Sequence, residues 1–434
     1  MNADPRAALD EWPLSRTQIA AIATTVGLNA LDGFDVLAIS FAAPGIAAEW
    51  GIDRAALGVV LSMELLGMAM GSIVLGGLAD RIGRRPTMLG CLVVMATGMY
   101  LATRSAGIAE LSLWRVVTGL GIGGMLAAIT AAAAEFANAR RRSLCVSLTA
   151  IGYPVGAVIG GSIAAELLKT HDWRAVFLFG AAATVAFIPL VLAFVPESVP
   201  WLCQKQPAKA LERVNATLGR MGRATVGALP ELEGTRARQS IADILKPGLI
   251  HITLLVTLAY FLHVATFYFI LKWVPKLVVD MGFAPAAAAG VLVWANVGGA
   301  TGGAVLGLLT QRYGVKSLTL AVMLGSAAMI TVFGRGQADL TELALICAVA
   351  GFFTNAGMVG MYAIFAQAFP THVRATGTGF ALGLGRGGAA LSPILAGYLF
   401  GAGFGLQAVA LVMALGSLLA AVALAFLRLR AAAH

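Results

Sequence analysis

Twelve apolar stretches, each long enough to cross a bilayer, govern what this chain can fold into. They run at about 18–47, 55–79, 87–104, 109–135, 143–168 and 174–195, then at 249–279, 285–310, 317–334, 339–366, 376–400 and 405–427. A spanning helix needs about 20 predominantly apolar residues, because it rises only about 1.5 Å per residue. In hydrocarbon every backbone N–H and C=O must be satisfied internally, so apolar runs of this length fold as helices. The expected class is an all-α integral membrane protein with twelve transmembrane helices. Composition agrees: 59% of the 434 residues are hydrophobic and 12% are charged, about half the charged share of a soluble domain. A soluble two-domain protein is excluded on these grounds.

Charge placement sets the expected orientation. With the N-terminus inside, the inner side receives Arg6, Arg16, Arg81, Arg84, Arg85, Arg140, Arg141, Arg142, eight cations between 197 and 248, Arg312, Lys316, Arg374, Arg428 and Arg430, 21 in all. The outer side receives Arg54, Arg104, Lys169, Arg174, Lys272, Lys276 and Arg335, 7 in all. Cytoplasmic loops carry the excess of Lys and Arg, so both ends are expected in the cytoplasm and the chain in the cell inner (plasma) membrane. The same bias accounts for the net charge of +9 without a nucleic-acid partner. The expected organisation is a cytoplasmic tail at 1–17, a six-helix bundle at 18–195, a cytoplasmic linker at 196–248, a second six-helix bundle at 249–427 and a tail at 428–434. Met1–Arg16 carries Asp4, Asp10, Glu11 and two prolines where a signal peptide has a basic region, so it reads as a retained tail. Cys91, Cys145, Cys203 and Cys347 fall at unrelated spacings, which supports neither a metal site nor a disulfide framework.

The two halves repeat. Gly76-Gly77-Leu78-Ala79-Asp80-Arg81-Ile82-Gly83-Arg84-Arg85 after the second stretch answers to Gly307-Leu308-Leu309-Thr310-Gln311-Arg312-Tyr313-Gly314-Val315-Lys316 after the eighth, at an offset of 231. Glu135 to Arg142 answers to Gln367 to Arg374 at an offset of 232. A near-constant shift across two loops is what a duplicated six-helix unit produces. Parallel repeats of this kind are one plan of secondary transporters, with substrate held near the midplane.

The first of these loops resembles the signature loop of the major facilitator superfamily, G-x-L-A-D-R-x-G-R-R, and here it is complete. Asp32-Gly33-Phe34-Asp35 in the first stretch, Pro196-Glu197-Ser198 with Trp201-Leu202 after the sixth, Arg374-Ala375-Thr376-Gly377 opening the eleventh and Gly385-Arg386-Gly387-Gly388 within it narrow the match. Together they resemble the aromatic acid:proton symporter family. The resemblance implies the major facilitator fold and proton-coupled uptake of a benzoate or hydroxybenzoate, with the proton as coupling ion and no other cofactor. It also implies gating by inner-side ion pairs among Asp80, Arg81, Arg84, Glu135, Arg142 and Arg374, with a plain solvated helix end as the other reading of Glu135. Gln311 stands where the second signature loop of the family is acidic, which points to a weaker lock in that half.

Ionisable groups deep in a span cost about 2.5–3.5 kcal/mol at the centre on insertion scales, so each invites a functional reading. Asp32 and Asp35 share a helix face one turn apart. Two close carboxylates in low dielectric resist double ionisation, which suits proton coupling. The alternative is a static bridge to Arg115. Arginine keeps its charge and grips a carboxylate with two prongs, so Arg386 and Arg115 are candidate anion-binding groups, with helix packing against the aspartates as the other reading. Glu64, midway along the second stretch, is either a further proton-coupling group or a neutral acid at a helix contact. Tyr268, Asn296 and Tyr362 are candidate substrate-lining residues, beside Tyr260, Phe261, Phe267, Phe269, Trp294 and Asn355, although most membrane aromatics simply pack. His263 is either titratable or a packing residue. The glycine series Gly119/Gly123, Gly152/Gly156/Gly160 and Gly299/Gly303/Gly307 reads as helix contacts.

The expected function is a symporter that imports a small aromatic carboxylate by alternating access, as a monomer. A carrier of another organic anion or a sugar, and a ligand sensor on the same fold, are the alternatives. An enzyme is not expected: the sequence shows no nucleophile–base pair, metal set or phosphate-cradling loop.

Overall fold

The computed structural model of the chain describes residues 4–231, 241–370 and 373–427. Arg428, Arg430 and the expected tail at 428–434 lie outside the described residues. Twelve long helices occupy most of the rest: α1 (Arg16–Trp50), α2 (Arg54–Ile82), α3 (Arg84–Ala102), α4 (Ile108–Phe136), α5 (Arg142–Leu167), α6 (Arg174–Phe194), α7 (Ile250–Asp280), α8 (Pro285–Leu309), α9 (Val315–Phe333), α10 (Leu340–Ala368), α11 (Arg374–Gly401) and α12 (Leu406–Phe426). No boundary departs from the sequence expectation by more than three residues. Eleven combine the length and apolarity of a membrane span. The twelfth, α11, has the length at 28 residues, but its glycine-rich middle carries Arg386 and its later part Pro393.

Large apolar side chains cover the outside of these helices. Ile73 is 79% exposed and Leu308 66%, an arrangement that water would oppose and lipid favours. Between α6 and α7, short helices form at Val199–Lys205 and Ala210–Arg220. Ser198 starts the first by accepting a hydrogen bond from the Trp201 N–H, the usual role of a serine at a helix N-cap.

Contacts divide the chain into two compact units. The first comprises Met1–Val36, Gly67–Ala157 and Phe177–Arg236; the second comprises Leu37–Leu66, Val158–Val176 and Ala237–His434. In the first unit, Gly67 and Gly71 of α2 lie against the carbonyls of Val116 and Leu120 on α4, so close that a Cβ would overlap the oxygens. In the second, Gly298 and Gly302 of α8 lie in the same way against Ala348 and Phe352 of α10. The glycines are 231 positions apart and the carbonyls 232. The offsets read from the loops therefore recur in the helix contacts. Small residues permit this because only a missing Cβ lets two helix backbones approach so far.

The glycine series behave unequally. Gly152 and Gly156 press on the carbonyls of Val26 and Ala30 in α1, and Gly123 on that of Met68 in α2. Gly307 meets nothing within 4 Å, so the reading of it as a helix contact is corrected: it ends its series beyond the reach of a neighbour.

Candidate functional site

Of the ionisable groups read from the spans, Asp32, Asp35 and Arg115 lie in the first unit, and Glu64 and Arg386 in the second. In the first unit, Asp32 and Asp35 on α1 and Arg115 on α4 are 2%, 0% and 0% exposed. Gly33 brings the segment in, because its Cα rests on the Tyr153 carbonyl of α5. Arg115 donates one Nη2–H to the backbone carbonyl of Asp35 at 3.0 Å and lies 3.0 Å from the Met99 sulfur. Its guanidinium sits 5.2 Å over the Phe177 ring of α6, a cation–π contact that gains strength when water is absent. The Asp35 carboxylate rests against Gly180 of α6, where a Cβ would stand 3.1 Å from Oδ1. The structure thus brings the three groups into one dry locus between α1, α3, α4 and α6.

At one end of this unit the signature loop makes a second cluster. Gly83 has φ 110, a region that glycine adopts freely. The Glu197 carboxylate fills the space where its Cβ would be. Glu197 accepts the N–H groups of Arg84 and Ser198, both at 2.9 Å, so the Pro-Glu-Ser element caps the start of α3. Trp201 Nε1 donates to the Asp80 carbonyl at 3.1 Å. Arg84 pairs with Glu135 at 2.7 Å and with Asp80 at 3.0 Å. Burial raises the Glu197 carboxyl above its ordinary value of 4.5, although the backbone N–H donors of Ser198, Arg84 and Arg85 and the nearby Arg213 pull it down.

Partners differ from what sequence proximity suggests. Glu135 pairs with Arg84, 51 positions away, while Arg142 of the adjacent basic run pairs with Asp10. Arg81 is exposed at the helix end. Arg374, in the second unit, donates to the Phe369 carbonyl at 3.3 Å.

In the second unit, Arg386 on α11 is half-buried and follows Gly385, which rests against the Tyr260 ring. The Tyr260 ring stands 5.3 Å from Phe365 and 6.1 Å from Tyr362. Gly385 allows this, since a Cβ there would strike the Tyr260 ring. Tyr268, two turns along α7 from Tyr260, packs edge-on against Phe267 at 5.3 Å. Two phenols and a phenyl ring from α7 and α10 thus stand together, next to the turn of α11 that carries Arg386. Asn296 is buried and donates to its own helix at the Leu292 carbonyl, 2.9 Å. Trp294 is 55% exposed, on another face of α8. His263 is fully buried; its Nε2–H donates to the Thr354 carbonyl and Nδ1 accepts from the Ser417 hydroxyl, each at 2.9 Å. A carbonyl can only accept, which assigns the tautomer.

Glu64 on α2 and Lys272 on α7 form an ion pair at 3.4 Å with both side chains 0% exposed. Lys272, counted by charge placement among the cations of the outer side, is a fully buried charge. Its position inside an apolar stretch, between Leu271 and Trp273, was the signal for it. Phe365 was also missed, because nothing distinguishes it from a packing phenylalanine in the sequence.

The sequence matches the family model of the Major Facilitator Superfamily over residues 25–307 and 256–434. The chain belongs to the major facilitator superfamily. It is 29% identical over 426 residues to the gallate transporter of Pseudomonas putida, covering 96% of this chain and 93% of that one. It is 31% identical over 412 residues to the 3-(3-hydroxy-phenyl)propionate transporter of Escherichia coli strain K12, covering 94% of each. These relatives bear out the resemblance to the aromatic acid:proton symporter family. Among solved structures, the inward open conformation of the xylose transporter XylE from E. coli superposes with a TM-score of 0.73 at 19% identity, covering 96% of this chain and 97% of that one. The fold class is therefore that of a superfamily of multi-pass membrane transporters, twelve helices in two six-helix bundles.

Proposed function

We propose that this superfamily member imports a small aromatic carboxylate, such as a benzoate or hydroxybenzoate, by proton-coupled alternating access. It does so as a monomer in the inner membrane, with both ends in the cytoplasm. One observation supports the reading: Arg386 follows Gly385, which rests on the Tyr260 ring, and that ring clusters with Tyr362 and Phe365. A guanidinium holds a carboxylate through charge-assisted hydrogen bonds, and aromatic faces give an aryl ring contacts that an aliphatic acid or a sugar cannot match. The names of the relatives, a gallate transporter and a phenylpropionate transporter, point to the same substrate class.

Coupling is assigned to the Asp32–Asp35 pair. Protonation of one carboxylate lowers the charge of the locus around Arg115 while the substrate is held at Arg386. Emptied and unprotonated, the aspartates attract Arg115 and hold that half in one arrangement, which prevents a proton leak. The test is uptake of radiolabelled benzoate, hydroxybenzoates, hydroxycinnamates and a hexose into energised vesicles, with and without a protonophore. Concentrative uptake of a benzoate that the protonophore abolishes, and that Arg386→Gln weakens roughly tenfold or more, supports the reading. Uptake of the hexose alone overturns it.

A further inference from the structure

A helix leaves its last carbonyls without partners in its own backbone, so other donors must meet them. α6 closes at Phe194, and two guanidiniums take two consecutive carbonyls there. Arg85, at the start of α3, donates an Nη2–H to the Leu192 carbonyl at 2.7 Å. Arg220 donates an Nη2–H to the Ala193 carbonyl at 2.6 Å. Arg223, three residues further on, donates to the Pro13 carbonyl and lies 5.2 Å over the Trp12 ring. The Thr17 hydroxyl of α1 donates to the Arg220 carbonyl at 2.6 Å. The chain before α1, the end of α6 and the segment that closes the Ala210–Arg220 helix therefore meet at one corner, all within the first unit.

This corner carries more positive charge than the chain neutralises. A helix C-terminus is worth about half a negative charge, against two guanidiniums on α6. At the end of α12 a single ammonium, Lys316, takes both the Ala425 and the Leu427 carbonyl. None of the three arginines forms an ion pair with a described residue, whereas Arg54, Arg84, Arg142 and Arg174 each hold a carboxylate. Glu11, beside Trp12, and Glu212, on the Ala210–Arg220 helix, are exposed and pair with none of the three. A guanidinium has five N–H donors, so a carbonyl contact leaves others to give, and Arg220 is exposed. Next to the charge stands surface that lipid favours: Leu190, Leu192 and Phe194 of α6 and Ile19 of α1 are exposed, as is Trp12. Tryptophan and arginine together mark the depth of lipid headgroups.

We propose that this corner is a binding site for an anionic glycerophospholipid. Arg85, Arg220 and Arg223 hold its phosphodiester through charge-assisted hydrogen bonds. The acyl chains lie along Leu190, Leu192 and Phe194 of α6 and Ile19 of α1, and Trp12 sits at headgroup depth. Basic pockets beside membrane helices take such headgroups, each cation adding to the attraction. Bound there, the lipid ties the chain before α1 to the ends of α3 and α6. The inference is independent of the substrate reading and goes beyond it, since it concerns a different ligand at a different place in the fold.

The test is lipid retention by the full-length protein in neutral detergent, read by native mass spectrometry and by the thermal unfolding midpoint. The probes are phosphatidylglycerol, phosphatidylcholine and inorganic phosphate. Phosphatidylglycerol is expected to stay bound and to raise the midpoint, with phosphatidylcholine held roughly tenfold more weakly and inorganic phosphate giving no shift. Arg220→Gln with Arg223→Gln is expected to weaken phosphatidylglycerol binding roughly tenfold or more. Arg312→Gln, which removes an exposed cation of the second unit, is expected to leave it unchanged. Should the double variant fail to fold, Arg223→Gln alone, which takes no α6 carbonyl away, is expected to bind about fivefold more weakly. Equal retention of the two lipids overturns the proposal, as does undiminished binding by the Arg220/Arg223 variants. A loss in Arg312→Gln as large as theirs replaces the site with diffuse attraction, and a full midpoint shift from inorganic phosphate replaces the lipid with a free anion.

Discussion

Glu64 and Lys272, 208 positions apart in the chain, meet at 3.4 Å in a space that excludes solvent entirely. Removing one partner takes this counter-ion from the other's buried charge. Lys272→Met is expected to cost about 3–5 kcal/mol, while Glu64→Leu with Lys272→Met recovers most of that loss. Thermal unfolding in detergent reads both. Equal destabilisation of the single and double variants contradicts the claim that the lost counter-ion is the cause.

Asp32→Asn and Asp35→Asn should each abolish gradient-driven accumulation while leaving substrate counterflow intact, since exchange needs no net proton movement. The measurement is uptake against counterflow in proteoliposomes. Full concentrative uptake in the Asp32→Asn protein removes that residue from coupling.

Glu197 gives a pH signature outside the spans. Its native value is raised by burial above the ordinary 4.5, so its contribution to stability is fully present below 4.5 and is lost as pH rises through the native value. Wild type is expected to lose stability upward from about pH 4.5, and Glu197→Gln to lack that component. A pH–stability profile of the two proteins checks the sign; a wild-type profile that rises over this interval relative to the variant refutes it.

The duplicated glycine contacts predict matched effects in the two halves. Gly67→Ala and Gly298→Ala each force a Cβ into a backbone carbonyl, at a cost of about 1–3 kcal/mol. Gly307→Ala has open space and a better helix former, so it is expected to be neutral or slightly stabilising. Unfolding midpoints of the three variants give the comparison, and a destabilised Gly307→Ala protein counts against it.

Much of the fold was legible in the chain itself. Twelve spans followed from hydropathy, and the 231–232 offset followed from the loops and reappears at Gly67 and Gly298. The burial of Asp32, Asp35, Glu64 and Arg115 followed from their setting within apolar runs. Their partners did not. Glu135 stands near Arg140–Arg142 in sequence but pairs with Arg84. In the sequence Glu197 was one residue of a family motif, and only its contact with Gly83 and the Arg84 N–H shows that it caps α3. Lys272 sits near the end of α7, where a cation ordinarily reaches water.

What the sequence alone determined is the set of groups that lipid makes costly: how many helices there are, where they begin and end, and which charges they carry inward. Those follow from local transfer energies, which depend on each residue and its near neighbours. Which acid meets which base was decided by tertiary structure alone, because an ion pair depends on a few ångströms between side chains on different helices. Helical periodicity assigns a residue to a face but not to the helix opposite it.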